Sequence, residues 1–156
     1  MRVDYPDLPR TIRVTSPEFN QGKVIPARFT CAGQGVSPAF GWSGVPAGAA
    51  SLAVVVSDPD APGGTYLHWL VTGLAARDGA FGEGCAASGG RELPCSAGRP
   101  GWVPPCPPSG KHHYHFAVHA LDAPVVAETS QQALDEIAAH TVAWGVLTGL
   151  VTSARG

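Results

Sequence analysis

The stretch SLAVVVSDPDAPGGTYLHWLVT, residues 51–72, contains two predicted strands and the loop that joins them. Ser51–Ser57 is a β-branched run bounded by turn residues, which is typical of a buried central strand. Tyr66–Thr72 predicts a second central strand. Because the Asp58–Gly64 loop connects the two directly, we expect them to be antiparallel neighbours. This stretch therefore predicts the centre of a sheet.

Prolines stiffen this loop and a second one, PPCPPSG, at residues 104–110. Proline fixes its own φ and restricts the preceding residue, so both loops hold their polar groups in place. A strand carrying histidine follows each loop, with His68 after the first and His112 after the second. Carboxylates and imidazoles on rigid loops indicate a pocket for a small polar ligand.

The remaining sequence predicts a mainly antiparallel β domain with one helix late in the chain. We expect residues 75–111 to form a long functional loop, since apolar runs are few there. A capping box at Thr129 to Gln132 places the helix start near Thr129 or Ser130. Residues 1–156 are predicted to be a single domain with a flexible tail at residues 1–10. Further strands are predicted at Arg10–Thr15, Val24–Thr30, Phe40–Trp42, His112–Leu121 and Val142–Val151.

Composition and charge narrow the function classes. The formal net charge is −2 and no basic run occurs, so nucleic acid is not an expected partner. Charged residues are only 14% of the chain, and 20 glycines and 15 prolines indicate many turns. The first ten residues lack an apolar signal core, and no stretch approaches the ~18 apolar residues of a membrane span. We therefore expect a cytoplasmic protein without membrane insertion.

Four cysteines lie at positions 31, 85, 95 and 106. Without an export signal, free thiols are expected. Cys95 and Cys106 precede His112 and His113, but no CxxC pair occurs, so neither a metal nor another cofactor is expected. A nucleophilic role for Cys106 stays open, because a histidine can activate a nearby thiol.

Asp58 and Asp60 flank a proline in the first loop. If Asp58 reaches His68, it would orient the ring and favour the imidazolium, and such a pair could bind an anion or transfer a proton. The alternative is that both aspartates cap the turn by bonding their own backbone.

The predicted strand after the second loop sorts its histidines onto two faces. His112 and Tyr114 share one face and could offer an imidazole and a phenol to one cavity, although a tyrosine there could also simply pack in the core. His113, His115 and His119 take the opposite face.

Several motifs, in this order, resemble the phosphatidylethanolamine-binding protein family, in particular its bacterial and archaeal branch. The resemblance runs from about Val24 to Val151, and together the motifs are highly specific. They are Ser37-Pro38 with Trp42–Gly48, then Asp58-Pro59-Asp60-Ala61-Pro62 with His68-Trp69, Gly101–Gly110, His112-His113-Tyr114, and Ala120-Leu121-Asp122.

The resemblance implies a large antiparallel sheet packed against a smaller one, with a peripheral helix. It also implies a small anion-accepting cavity and, from bacterial relatives, a homodimer. Where the family has arginine after the second pocket histidine, this chain has His113, which removes a permanent charge. The expected ligand-binding residues are Asp58, Asp60, His68, Cys106, Pro107, Pro108, His112 and Tyr114.

Three function classes follow. The leading hypothesis is a protein that binds a small anionic ligand, phosphate- or carboxylate-like, or a carbonyl-bearing one. The second is a cyclase, isomerase or lyase that uses Asp58, His68 and His112 as acid and base groups. The third is an interaction protein that inhibits proteases or kinases, as some relatives do.

Overall fold

Two antiparallel sheets and a late helix form the fold. A computed structural model of the chain describes residues 1–85 and 89–153. The strands in this part of the chain are β1 (Arg13–Thr15), β2 (Phe40–Ser43), β3 (Ser51–Asp58), β4 (Tyr66–Leu74), β5 (Gly79–Phe81), β6 (Arg91–Leu93), β7 (Lys111–Leu121) and β8 (Thr141–Thr152). The helix α1 spans Ser130–His140, and a 3-10 turn spans Ala27–Phe29.

The larger sheet has five strands in the order β6-β4-β3-β7-β8, and the smaller has three in the order β1-β2-β5. Neighbouring strands run antiparallel throughout both sheets. The predicted fold class, a mainly β structure of a large and a small antiparallel sheet with one late helix, is confirmed.

Strand β3 lies at the centre of the larger sheet. All eight of its residues are buried, which matches the apolar, β-branched run that predicted it. Alternate side chains of β3 pack into two different hydrophobic cores, one on each face of the sheet. Val54 and Val56 pack with Phe40 of the smaller sheet, whereas Ala53 and Val55 pack beneath the helix. Its last residue, Asp58, is therefore held between two packed layers.

Helix α1 begins as the capping motif predicts. Thr129 is the N-cap residue, and its side chain accepts a hydrogen bond from the backbone N–H of Gln132. Ala133, Leu134 and Ile137 are buried against the larger sheet. β8 follows the helix directly at Thr141, whose hydroxyl donates to the carbonyl oxygen of Ile137.

The strand predicted at Val24–Thr30 is wrong. Val24 makes only an isolated bridge with Leu150, and the chain then turns into the 3-10 segment. Pro26 precedes this turn and has no N–H to donate to a strand ladder. The Thr30 hydroxyl closes the turn by donating to the carbonyl oxygen of Ala27.

The prediction that residues 75–111 form one long loop is also wrong in part. Two three-residue strands lie within it: β5 pairs with β2, and β6 pairs with β4. Residues 86–88 of this segment lie outside the described residues. The stretch from residue 94 to residue 110 contains no strand and carries the second proline-rich loop.

The N-terminal segment, expected to be a flexible tail, lies against the helix side of the larger sheet. The Arg2 guanidinium donates to Asp135, and the Tyr5 hydroxyl is 2.8 Å from the Ser57 hydroxyl. The Trp144 indole donates to the carbonyl oxygen of Leu8. Within residues 1–85 and 89–153, no helix has both the length and the apolar character needed to cross a membrane.

Candidate functional site

Four polar side chains meet at one end of the larger sheet. Asp58 ends β3, His68 lies in β4, and His112 and Tyr114 lie in β7. These strands are neighbours, so three separated parts of the sequence become adjacent. All four residues are buried, and all four line one cavity of about 290 Å³. The proline-rich loop supplies the facing wall through Cys106, Pro107 and Pro108.

Asp58 accepts hydrogen bonds through both carboxylate oxygens. Its Oδ2 accepts from His112 Nδ1 at 2.6 Å, and its Oδ1 accepts from the backbone N–H of Asp60 at 2.8 Å. The predicted pairing of Asp58 with His68 is therefore corrected, because Asp58 orients His112. Asp58 also caps the turn, as the alternative interpretation predicted, because its Oδ1 accepts the hydrogen bond from the Asp60 backbone.

His68 is fixed by the second loop. Its Nδ1 donates to the carbonyl oxygen of Val103 at 2.7 Å. Burial lowers the pKa of His68, although the Val103 bond and the charge of Asp58 act in the opposite direction. At neutral pH the ring is therefore uncharged. With its proton on Nδ1, the lone pair of Nε2 can accept a hydrogen bond.

Tyr114 stays protonated. Burial raises its pKa, and the charge of Asp58 and a hydrogen bond to that carboxylate raise it further. Its ring lies edge-on to His68 with centroids 5.2 Å apart. Because its hydroxyl is already hydrogen-bonded to Asp58, Tyr114 supports the carboxylate as well as lining the cavity.

Asp60, expected among the ligand-binding residues, is not among the residues that line the cavity. Its Oδ2 accepts from the backbone N–H of His113 at 2.8 Å and from His113 Nδ1 at 2.7 Å. Burial acts to raise the pKa of Asp60, but the His113 contacts outweigh it and the pKa is lowered. The pair ties the first loop to the start of β7 beside the cavity.

The family model for phosphatidylethanolamine-binding protein matches residues 15–152. This chain belongs to that family. The match covers the larger sheet, the smaller sheet except for the first two residues of β1, the helix and every residue that lines the cavity.

The curated relatives of the chain include two bacterial proteins of different length. LppC of Mycobacterium tuberculosis, which is named as a lipoprotein, is 45% identical over 134 residues, or 85% of this chain. The chain spans only 65% of the length of LppC. A UPF0098 protein of Chlamydia muridarum is 36% identical over 146 residues, which cover 88% of this chain and 97% of that protein. With a relative named as a lipoprotein, the cytoplasmic location stays a prediction, as does the homodimer.

Two solved structures of the phosphatidylethanolamine-binding protein family share the fold. CT736 from Chlamydia trachomatis, described as a homolog of phosphatidylethanolamine-binding protein, has a TM-score of 0.85 at 34% identity and covers 93% of this chain and 99% of its own. YbcL from Escherichia coli, described as a member of the mammalian family, has a TM-score of 0.83 at 29% identity and covers 91% and 98%.

Cys106 is not a free thiol in this member of the phosphatidylethanolamine-binding protein family. It forms a disulfide with Cys31, and their Cα atoms are 5.3 Å apart across a sequence separation of 75 residues. The expectation of free thiols is thus wrong for this pair and right for Cys85 and Cys95. The alternative that Cys106 is a nucleophile is also wrong. The nucleophilic form of cysteine is a free thiolate, and the Cys106 sulfur is bonded to Cys31.

Sequence reasoning missed part of the cavity lining, chiefly Tyr66 and Val103. Tyr66 had a usable signal, because it lies two residues before His68 on the same strand and period two puts both on one face. Their ring centroids are 4.8 Å apart. Val103 acts through its backbone carbonyl, which no sequence pattern reveals. Across the described residues, no group of three or more His, Cys, Asp or Glu side chains is arranged to hold a metal ion.

Proposed function

We propose that this cavity binds a small anionic group, phosphate- or carboxylate-like, or a carbonyl-bearing molecule. One observation carries the proposal. His68 and His112 each donate Nδ1–H to a protein oxygen, and within residues 1–85 and 89–153 no partner is found for either Nε2. Both rings line the same cavity, so two fixed imidazole nitrogens are available to one ligand.

The charge of the cavity depends on those imidazoles. Among the described residues that line it, Asp58 is the one acidic group, and His112 contacts it directly. No lysine or arginine contributes to this described lining. An imidazolium donates from both ring nitrogens, whereas a neutral ring with its proton on Nδ1 can only accept at Nε2. Anion binding should therefore draw a proton onto His68.

Because anion binding is coupled to protonation of His68, the affinity for an anion should depend on pH. Sulfate keeps a fixed charge between about pH 5.5 and 7.5, so a change in its affinity over that range reports on the protein. Because the pKa of His68 is lowered, we expect sulfate to bind about tenfold more tightly at the lower pH, with proton uptake at the higher. Titration calorimetry in two buffers of different ionisation enthalpy measures both.

Two variants test whether His68 is responsible for the binding of sulfate and for the proton uptake. His68→Ala should lose sulfate binding and the proton uptake. His140→Gln is the matched control, because His140 is exposed and pairs with Asp122 far from the cavity lining. Absence of binding by sulfate, phosphate, phosphoethanolamine and acetate to the parent protein would refute the proposal, as would unchanged binding to His68→Ala.

A second candidate is a cofactor-independent enzyme that moves protons, as in an isomerase, cyclase or lyase. It is favoured by the neutral His68, a base, facing the same cavity as the Asp58–His112 pair. Deuterium exchange from D₂O at the carbon beside the carbonyl of dihydroxyacetone phosphate would test it. Exchange above the buffer rate that is lost in both His68→Ala and Asp58→Asn supports the enzyme, and exchange at the buffer rate excludes this chemistry for that probe.

A further inference from the structure

The Cys31–Cys106 disulfide lies between two cavities. A second cavity, of about 380 Å³, is lined by residues 30–32, 105–108 and 151–153. Cys106, Pro107 and Pro108 line both cavities, whereas Cys31 lines only the second. The cross-link therefore runs from the wall of the ligand cavity, at Cys106, toward the far side of that wall, at Cys31.

This arrangement suits attack on one particular sulfur. In thiol–disulfide exchange a thiolate bonds to one sulfur of the disulfide while the other sulfur leaves. Attack proceeds in line, so the nucleophile approaches opposite the leaving sulfur. Cys106 lines the first cavity and Cys31 does not, so a thiol held there reaches Cys106, and Cys31 is the sulfur that leaves. We propose that Cys31–Cys106 is a thiol–disulfide exchange site whose substrate is a low-molecular-weight thiol held in the first cavity.

Exposure supports the assignment. Both cysteines of the disulfide are solvent-exposed, and exposed disulfides are more readily reduced than buried ones. The free thiol Cys95, in contrast, is buried and donates to the carbonyl oxygen of Arg99. The exposed cross-link is thus the cysteine site that a small thiol can reach from the cavity.

His68 supplies a base for the step. Its Nε2 has no partner among the described residues and its ring lines the same cavity as Cys106. Burial keeps the ring neutral near pH 7, so Nε2 can take a proton. The titratable groups around it are Tyr66 on its own strand, Asp58 on β3, and His112 and Tyr114 on β7. Asp58 is engaged by His112, whose own Nε2 also faces the cavity, so the His68→Gln variant below decides whether His68 is the base.

Atoms and electrons balance in this exchange. The thiol gives its proton to His68 Nε2, and its sulfur forms a bond to Cys106 Sγ. The Cys106–Cys31 bond breaks, and Cys31 leaves as a thiolate that takes a proton from solvent. The small thiol is oxidised into a mixed disulfide while the protein disulfide is reduced by the same electron pair. Return attack by Cys31 releases the thiol, and attack by a second thiol releases a small disulfide.

The test uses the full chain carrying Cys85→Ser, which removes the exposed free thiol. The protein is incubated with 2-mercaptoethanol near pH 7, quenched with acid, alkylated with iodoacetamide and digested for mass spectrometry. The expected product has 2-mercaptoethanol on Cys106 and the alkyl group on Cys31, in at least about tenfold excess over the reverse. Equal labelling, an excess on Cys31, or no adduct would overturn the proposal.

A His68→Gln variant separates a base from a structural role. Its adduct should form at least about tenfold more slowly near pH 7, and the difference should close near pH 9, where the thiol ionises unaided. A deficit that is equal at both pH values overturns the role of His68. His140→Gln, remote from both cavities, should match the parent.

The same experiment distinguishes this site from the proposed anion site, which shares the first cavity. Because 2-mercaptoethanol is neutral, its reaction does not need anion binding. If sulfate binds but no adduct forms, the exchange site is rejected and the anion site stands. If the adduct forms but sulfate does not bind, the anion site is rejected and the exchange site stands. If both hold, saturating sulfate should slow adduct formation at Cys106, and no slowing would contradict attack from the first cavity.

Discussion

At the scale of single residues, Asp58 holds the site together. Its side chain is buried at the end of β3 and receives hydrogen bonds from the Asp60 backbone, from His112 and from the Tyr114 hydroxyl. Removing this carboxylate leaves the buried Nδ1–H of His112 without its acceptor in a poorly solvated place. The geometry of both His112 and Tyr114 therefore depends on one carboxylate.

Asp58→Ala should lower the free energy of unfolding by about 3 kcal/mol. The matched change is Asp60→Ala, two residues away, because Asp60 also bonds a histidine but its side chain is 39% exposed. An exposed pair contributes about 1 kcal/mol or less. Urea unfolding at pH 7 compares the two, and equal losses would contradict the central role of Asp58.

The sequence predicted which residues lie in the site more accurately than it predicted which of them are hydrogen-bonded to each other. Period two along β7 correctly put His112 and Tyr114 on the buried face. It could not choose the partner of Asp58, because β3 lies between β4 and β7 and thus has a histidine on either side. Nearness along the chain favoured His68, but the bond goes to His112, which is 54 residues away. The order of strands in the sheet decides this, and no local pattern contains it.

His119 belongs to the opposite face of β7 and is buried under the helix side of the sheet. Burial lowers its pKa to about 4 from 6.5, and its Nδ1 donates to Thr141. The unfolded chain therefore binds a proton between these values that the folded chain does not. Stability is complete above about pH 6.5 and is lost as pH falls toward 4, by about 3 kcal/mol from this group.

Urea unfolding measured between pH 7 and about pH 4 tests this assignment. The His119→Gln variant keeps a donor for Thr141 but does not titrate, so its free energy of unfolding should fall less steeply with pH. The pKa values of His68 and His115 are lowered in the same direction by burial, so some slope should remain. An unchanged slope would show that His119 does not titrate as its burial requires.

At the scale of elements, β8 is the edge of the larger sheet that the N-terminal part of the chain covers. The Ile12 N–H donates to the carbonyl oxygen of Trp144, and the Ile25 N–H donates to that of Leu150. Two glycines of β8 lie beneath these crossing segments. A Cβ at Gly145 would overlap the carbonyl oxygen of Ile12, and one at Gly149 would overlap the Ile25 side chain.

Gly145→Ala should therefore destabilise the protein by about 3 kcal/mol, because the overlap involves backbone that a rotamer change cannot relieve. Gly48→Ala is the control: Gly48 lies in a turn without a positive φ, and no atom lies within 4 Å of the position that an added methyl group would take. Thermal unfolding of both variants measures the contrast. A Gly145→Ala protein as stable as the Gly48→Ala protein would mean that the strands do not approach as described.

The sequence predicted all of the long elements and two of the short strands, β1 and β2. β3, β4, β7, β8 and α1 each carry enough residues for a period or an apolar run to be visible. β5 and β6 have three residues each and are strands only because β2 and β4 pair with them. The failed strand at Val24–Thr30 has β-type residues, but Pro26 directs the chain into a turn. β5 and β6 therefore depend on partners that their own sequences do not specify.

At the scale of the whole molecule, the disulfide joins two segments that are far apart in the sequence. One is the turn after Ala27–Phe29, and the other is the proline-rich loop. Their backbones meet where the Cys31 N–H donates to the carbonyl oxygen of Pro105 at 3.0 Å. The sequence could not reveal this link, because the spacing of the four cysteines does not indicate which of them pair.

Loss of this cross-link should reduce stability markedly. Closing a loop across a separation of 75 residues restricts the unfolded chain and stabilises the fold by about 4 kcal/mol in the chain-entropy model. The Cys31→Ser, Cys106→Ser double variant should show this loss in urea unfolding. Cys85→Ser, at an exposed free thiol, should not change the transition. A double variant within about 1 kcal/mol of the parent would contradict the prediction.

Strand β3 also governs how the molecule opens. Both of its faces are covered, and β4 and β7 pair along its two edges. No local fluctuation can bring water to its amides without parting the larger sheet, so its hydrogens exchange with deuterium chiefly through global opening. Deuterium uptake by peptides from β3 thus measures complete unfolding of the molecule. Uptake by peptides from the two loops measures the smaller motions of the cavity walls.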